Sequence, residues 1–117
     1  MKKIAVVLCG CGCMDGSEIH ESVMTLLAID RNGCEYEIFA PDADQYHVIN
    51  HYTNQVSNEK RNMLVEAARI ARGKIFPLPQ LKAADFDAVI FPGGFGAAKN
   101  LFAYAINGAK EKVMPEV

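Results

Sequence analysis

Gly93 and Gly94 follow the apolar run Val89, Ile90, Phe91 and the turn-forming Pro92. An unbroken apolar run suits a parallel strand covered on both faces. Two glycines directly after it let the backbone turn sharply and leave N–H groups free to face an anion. Acyl-transfer enzymes build oxyanion holes in this way. The same residues also serve in α/β folds that only turn a corner. Cys11, in Gly10-Cys11-Gly12, is the second candidate. Flanking glycines would expose its thiol at the rim where open α/β sheets bind ligands, and a nearby helix start would lower its pKa. A buried, inert thiol is the competing reading. His47 and His51 stand four apart, a spacing that presents two metal ligands on a helix. Their polar surroundings favour a loop or packing role, so no metal is expected.

Cys9, Cys11, Cys13 and Cys34 make neither the Cys-x-x-Cys pairs of common zinc sites nor an easy disulfide. Free thiols in a reducing compartment are the expectation. After Gly10 and Gly12 the next position of a dinucleotide fingerprint holds Asp15, with Gly16 one residue late, so no cofactor is expected.

These residues need a scaffold, and the hydrophobic pattern supplies one. Residues 3–9 read as a strand. Asp15 with Glu18 resembles a capping box, with Ser17 as a competing cap. Ile19, Val23, Leu26 and Leu27 give the helix an apolar face, and Gly33 stops it. Cys34, Tyr36 and Ile38 alternate with Glu35 and Glu37, as in a half-exposed strand. Strand, helix and parallel strand make a right-handed βαβ unit. Residues 41–58 are polar and irregular, the kind of long connection that often carries function. Asn58 is expected to cap a second helix that buries Met63, Ala67, Ile70 and Ala71 and closes at Gly73. Pro77 and Pro79 break the chain before a short helical turn at residues 81–84. A strand through Phe91 and a helix over residues 97–107 follow. Residues 3–9, 34–39 and 87–91 are predicted to be parallel neighbours, with the first central.

The 117 residues fit one domain; 50% are hydrophobic, 22% charged, and the formal net charge is −2. No basic track for nucleic acid and no membrane-spanning length is present. Lys2-Lys3 before Ile4–Leu8 mimics a signal peptide, but the apolar run is short and enters Cys-Gly turns, so a first strand fits better. A cytoplasmic protein is expected.

Pro92-Gly93-Gly94-Phe95-Gly96-Ala97-Ala98-Lys99-Asn100-Leu101 resembles the signature of ElbB-type proteins, members of the class I glutamine-amidotransferase-like superfamily that also holds the PfpI-type proteins. Three further blocks agree in order: Cys9–Gly12 with Asp15–Glu21, Val48–His51, and Arg61-Asn62 with Glu66–Gly73. The resemblance implies a flavodoxin-like three-layer α/β sandwich, incomplete within residues 1–117, and ending before the strand that carries the family's cysteine nucleophile. It implies glyoxalase-type chemistry on a reactive aldehyde, with Glu21 assisting a thiol and Gly93 and Gly94 stabilising an oxyanion. Cys11, Asn50 and His51 would line the same rim pocket. A non-catalytic, partner-binding subunit is the alternative. Ending there would also leave the strand before Pro92 unpaired on one side. Self-association, and no glyoxalase turnover by the chain alone unless Cys11 substitutes for the nucleophile, are therefore expected.

Overall fold

The computed structural model describes residues 1–101. Its sheet is built from β1 (Lys3–Val7), β2 (Glu35–Ala40), β5 (Phe76–Pro77) and β6 (Ala88–Ile90) in the order β5-β2-β1-β6. Every pairing is parallel, and β1 lies between β2 and β6. The register sets Val6 opposite both Ile38 and Ile90, so the most buried strand is held from two sides. The predicted neighbours and the central first strand are therefore found.

Both helices, α1 (Ile19–Arg31) and α2 (Met63–Ala71), pack on one face of the sheet. There Val6, Leu8, Ile38 and Ala40 meet Ile29 of α1 and Ala67 and Ala71 of α2. On the other face Ala5, Val7 and Phe39 are covered by Leu78, Leu81 and Phe86 from the segment around two 3₁₀ turns, Leu78–Gln80 and Ala83–Asp85. The small residues at 67 and 71 let α2 approach the strands closely.

Several expected boundaries shift. Helix α1 starts at Ile19, capped by Glu18, whose carboxylate accepts the Glu21 N–H at 2.7 Å. Asp15 and Ser17 are withdrawn from capping because both are buried and used elsewhere. The inward face of α1 is Ser22 and Ile29 with part-buried Leu26; Ile19, Val23 and Leu27 are exposed. Ser22 tolerates burial because its hydroxyl donates to Glu18 O at 2.7 Å. Helix α2 is capped by Asn62, not Asn58, with its side chain accepting the Val65 N–H at 3.0 Å. The irregular stretch holds an antiparallel hairpin, β3 (Ile49–Asn50) with β4 (Gln55–Val56). Pro77, read as a breaker, ends a short strand: a sheet edge tolerates a residue without an N–H. The expected final helix begins on schedule as a π-helical segment, Ala97–Leu101; residues 102–107 lie outside the described residues.

Candidate functional site

Two loops at the carboxyl rim of the sheet build the site, one after β1 and one after β6. The first folds on itself: Cys9 N–H donates to Ser17 Oγ at 2.9 Å, Gly12 N–H to Ser17 O and Gly16 N–H to Gly12 O, both at 2.8 Å. The second is laid across it. Gly93 O accepts the Glu18 N–H, Phe95 N–H donates to Cys13 O at 2.8 Å, and Gly96 N–H donates to Gly16 O at 3.0 Å. Gly94 holds φ +125, and a Cβ there would strike Gly16 O, so only glycine makes this turn without strain.

Asn100 fastens the assembly from below. Its buried side-chain amide donates to Cys9 O and Asp15 O, both at 2.9 Å, and its Oδ1 accepts the Tyr46 N–H at 2.8 Å. Lys99 Nζ donates to Met14 O at 3.0 Å and lies over the Phe95 ring. A polar network so fully satisfied fixes loop geometry.

Glu21 turns toward the glycine turn. Its Oε1 occupies the space that a Gly93 Cβ would need. Neither the Gly93 nor the Gly94 N–H has a hydrogen-bond partner among the described residues. Around this point lies an open cleft lined by Cys13, Glu18, Glu21, Gly94, Phe95 and Ala98. A carboxylate beside unpaired backbone donors can move a proton and hold developing negative charge on oxygen.

Cys11, Asn50 and His51 are not in that cleft. They line a separate polar recess with Asp15, Arg61 and Glu66, so the expectation of one common rim pocket is corrected. The β1–α1 loop runs between the two, placing alternate cysteines on opposite sides: Cys11 in the recess, Cys13 in the cleft. Burial pushes the Cys11 thiol up from its ordinary value; Arg69 lowers it, and Glu66 and Asp15 raise it further. It is a neutral thiol at physiological pH, not an activated nucleophile. Asn50 is committed to the hairpin, its Oδ1 accepting N–H groups of Tyr52 at 3.0 Å and Thr53 at 3.2 Å. Both His51 nitrogens face backbone, Nδ1 to Ile49 O at 2.9 Å and Nε2 to Met14 N at 3.3 Å. His47 packs edge-on against Tyr46.

Cys13, Asp15 and Asn100 are the contributors that the sequence pattern did not single out. Asp15 carried a signal, an acid before a helix, but that signal also fits a cap. Cys13 carried none beyond its spacing from Cys11.

The parallel α/β sheet with two interlocked loops at its rim is an amidotransferase-like architecture. No family model matches the chain. It is 56% identical over 116 residues to the human glutamine amidotransferase-like class 1 domain-containing protein 3, mitochondrial, covering 98% of this chain and 43% of that protein. The rat ES1 protein homolog, mitochondrial, is also 56% identical over 116 residues, covering 98% of this chain and 44% of its own length. The zebrafish ES1 protein, mitochondrial, is 43% identical over 119 residues, with 97% of this chain and 44% of that protein covered. The crystal structure of an isoprenoid biosynthesis protein with amidotransferase-like domain from Ehrlichia chaffeensis superposes with a TM-score of 0.92 at 41% identity. The match covers 97% of this chain and 54% of that one. The chain belongs to this glutamine amidotransferase-like, ElbB-type family, and spans less than half the length of the curated relatives it matches. The cytoplasmic expectation is overturned by the mitochondrial designation of the human, rat and zebrafish proteins. Compartment is commonly addressed by targeting segments that form no part of a folded domain, so core composition and free thiols do not report it.

Proposed function

We propose that the cleft at Glu21, Gly93 and Gly94 handles the carbonyl of a small reactive aldehyde in thiol-dependent, glyoxalase-type chemistry. One observation carries this reading: the Glu21 carboxylate lies against the Gly93 backbone, beside two N–H groups without partners among the described residues. A thiol sulfur adds to the aldehyde carbon while the carbonyl π pair moves to oxygen, where the Gly93 and Gly94 N–H groups meet it. The oxyanion takes a proton, giving a hemithioacetal. Glu21 then removes the proton from the former aldehyde carbon, giving an enediol as the neighbouring ketone oxygen takes a proton. The first carbon's hydroxyl gives up its proton as the adjacent carbon gains one, leaving a thioester beside a hydroxyl group. Water releases the hydroxy acid and restores the thiol. The sum is 2-oxoaldehyde plus water to 2-hydroxy acid, with no external oxidant.

Cys13 is the thiol at this cleft among the described residues. The resemblance places the family nucleophile on a strand-to-helix elbow, for which the glycine turn and Glu21 form the receiving half. Conversion of methylglyoxal to lactate by a polypeptide carrying this domain checks the reading. Glu21→Gln is expected to lower kcat/KM by about 100-fold, within the usual reach of acid–base catalysis. Conversion that is absent, or unchanged in that variant, rejects it.

We also propose that the chain self-associates. Strand β6 pairs only with β1 among the described residues. Phe91 just beyond it is 46% exposed, and Met24 on the outer face of α1 is 67% exposed beside exposed Val23 and Leu27. Open strand edges with apolar flanks invite pairing. Sedimentation velocity should show association that rises with concentration across the micromolar range; a single monomeric boundary throughout would contradict this.

A further inference from the structure

We propose that the recess beside Cys11 is a second ligand site, distinct from the Glu21 cleft, which takes a compact ligand bearing a primary ammonium group. The recess has a volume of about 260 Å³, room for on the order of eight or nine waters. It is built by three separate stretches of chain: the β1–α1 loop, the segment from Gln45 into the β3–β4 hairpin at His51, and the residues from Ser57 into the first turn of α2. Such convergence makes a shaped cavity and not a crease along one loop.

Asp15 forms its floor and is only 5% exposed. One carboxylate oxygen, Oδ2, accepts the Ile49 N–H at 2.8 Å. The other, Oδ1, has no hydrogen bond among the described residues; its nearest cationic candidate is His51 Nε2 at 3.7 Å. That nitrogen brings no proton. His51 Nδ1 faces the Ile49 carbonyl and must be the protonated one, which leaves Nε2 to accept the Met14 N–H. Oδ1 is not sealed off, since His47 Nδ1 alone is a fully buried side-chain atom without a partner among the described residues; it opens to the recess, where an entering donor can meet it. The recess is the route by which one can arrive.

The walls select the sign of that ligand. Asp15, Glu59 and Glu66 place three carboxylates on the lining against one guanidinium, that of Arg61. Arg61 is clasped by Glu59 at 3.3 Å and Glu66 at 3.1 Å, and Arg69 reaches Glu66 at 3.5 Å from outside the lining. These groups largely neutralise one another, and Asp15 is the lining carboxylate with no Lys or Arg partner among the described residues. Cys11 adds no charge, since burial holds it as a thiol. No group of three His, Cys, Asp or Glu side chains suited to a metal ion occurs among the described residues. A hydrogen-bonding cation fits where a metal ion does not. An ammonium offers three donors, enough for Asp15 Oδ1 and for two neighbouring acceptors on the lining. This inference stands apart from the proposed aldehyde chemistry, because it uses no residue of the Glu21 cleft.

The test is an amide NMR titration of the whole chain with ethanolamine hydrochloride. Ethylene glycol and sodium acetate, at matched ionic strength, serve as the neutral and anionic counterparts. Ethanolamine should produce saturable shifts at the Met14, Ile49 and Cys11 amides, while the other two probes should not. Asp15→Asn should weaken binding by about tenfold. Because that variant also disturbs the Ile49 tie, Glu59→Gln at the recess wall supplies a second reading. It should weaken binding about two- to fivefold while the free-protein Met14 and Ile49 signals stay in place. No saturation by about 50 mM ethanolamine, equal shifts with acetate or glycol, or shifts centred on Gly94 and Phe95 would each overturn the proposal.

Discussion

Gly96→Ala is expected to destabilise the chain by about 3 kcal/mol or more, and to open the Glu21 cleft. A Cβ at Gly96 would run into the Cα, carbonyl carbon and oxygen of Gly16. All three are backbone atoms, so no rotamer change relieves the overlap; the two loops must part. Parting them breaks the Gly96 N–H bond to Gly16 O and strains the neighbouring Phe95–Cys13 bond. Each lost bond adds about 1 kcal/mol to the steric cost. Gly33→Ala is the useful contrast. Gly33 has φ +71, but a Cβ there would meet nothing within 4 Å, so only conformational strain is at stake, about 1 kcal/mol. Urea unfolding should therefore show a much lower midpoint for Gly96→Ala than for Gly33→Ala, with similar slopes. Equal midpoints would mean that the contact between the two loops holds nothing together.

That contact also marks the boundary of what local sequence can tell. The strands β1 and β2 were legible because a parallel strand inside the sheet must be apolar where it is buried, as Ala5–Leu8 and Ile38–Ala40 are. Strand β6 is apolar too, but at the sheet edge among the described residues it is not covered on both faces as its run suggested, with Val89 43% and Phe91 46% exposed. Helix starts were less legible. Asp15, Ser17 and Glu18 can each cap a helix, as can Asn58 and Asn62, and the competition is settled by tertiary demand. Asp15 is needed at Ile49 and Ser17 at Cys9, so Glu18 is left to cap. The apolar stripe on α1 misled for a related reason. The helix is apolar on two sides, and periodicity alone does not say which one meets the sheet.

Among site residues, the resemblance pointed to Glu21 and the diglycine turn, and the fold brings those together through the βαβ geometry. It also grouped Cys11, Asn50 and His51 with them, whereas the fold sets these on the far side of the β1–α1 loop. The reason is the loop's own path. Gly12 N–H turns back to Ser17 O and Phe95 N–H captures Cys13 O, so residues two apart face different cavities. Alternation along an extended loop is a local property; which cavity each side faces is not.

Cys9, the first cysteine of that loop, should make stability fall steeply in alkali. Burial, only partly offset by the Ser17 hydroxyl and reinforced by Asp15, pushes its thiol from an ordinary 9.0 to about 11. The folded chain therefore holds this proton more tightly than the unfolded chain does. Below about pH 9 both states keep it, and the site gives no pH dependence. Between about pH 9 and pH 11 the unfolded chain releases it while the folded chain does not. Stability is lost through this window at up to about 1.4 kcal/mol per pH unit, some 2–3 kcal/mol in all. Above it, folding must bury a thiolate beside Asp15 or give way. Other groups also titrate in alkali, so the readout is the difference between the wild-type chain and Cys9→Ala in urea midpoints at about pH 8 and about pH 11. Alanine should cost about 1 kcal/mol at the lower pH through lost packing and the lost Ser17 contact. At the higher pH the variant should become the more stable of the two. A difference that stays constant across the range would show that Cys9 keeps an ordinary thiol pKa despite its place under the loop.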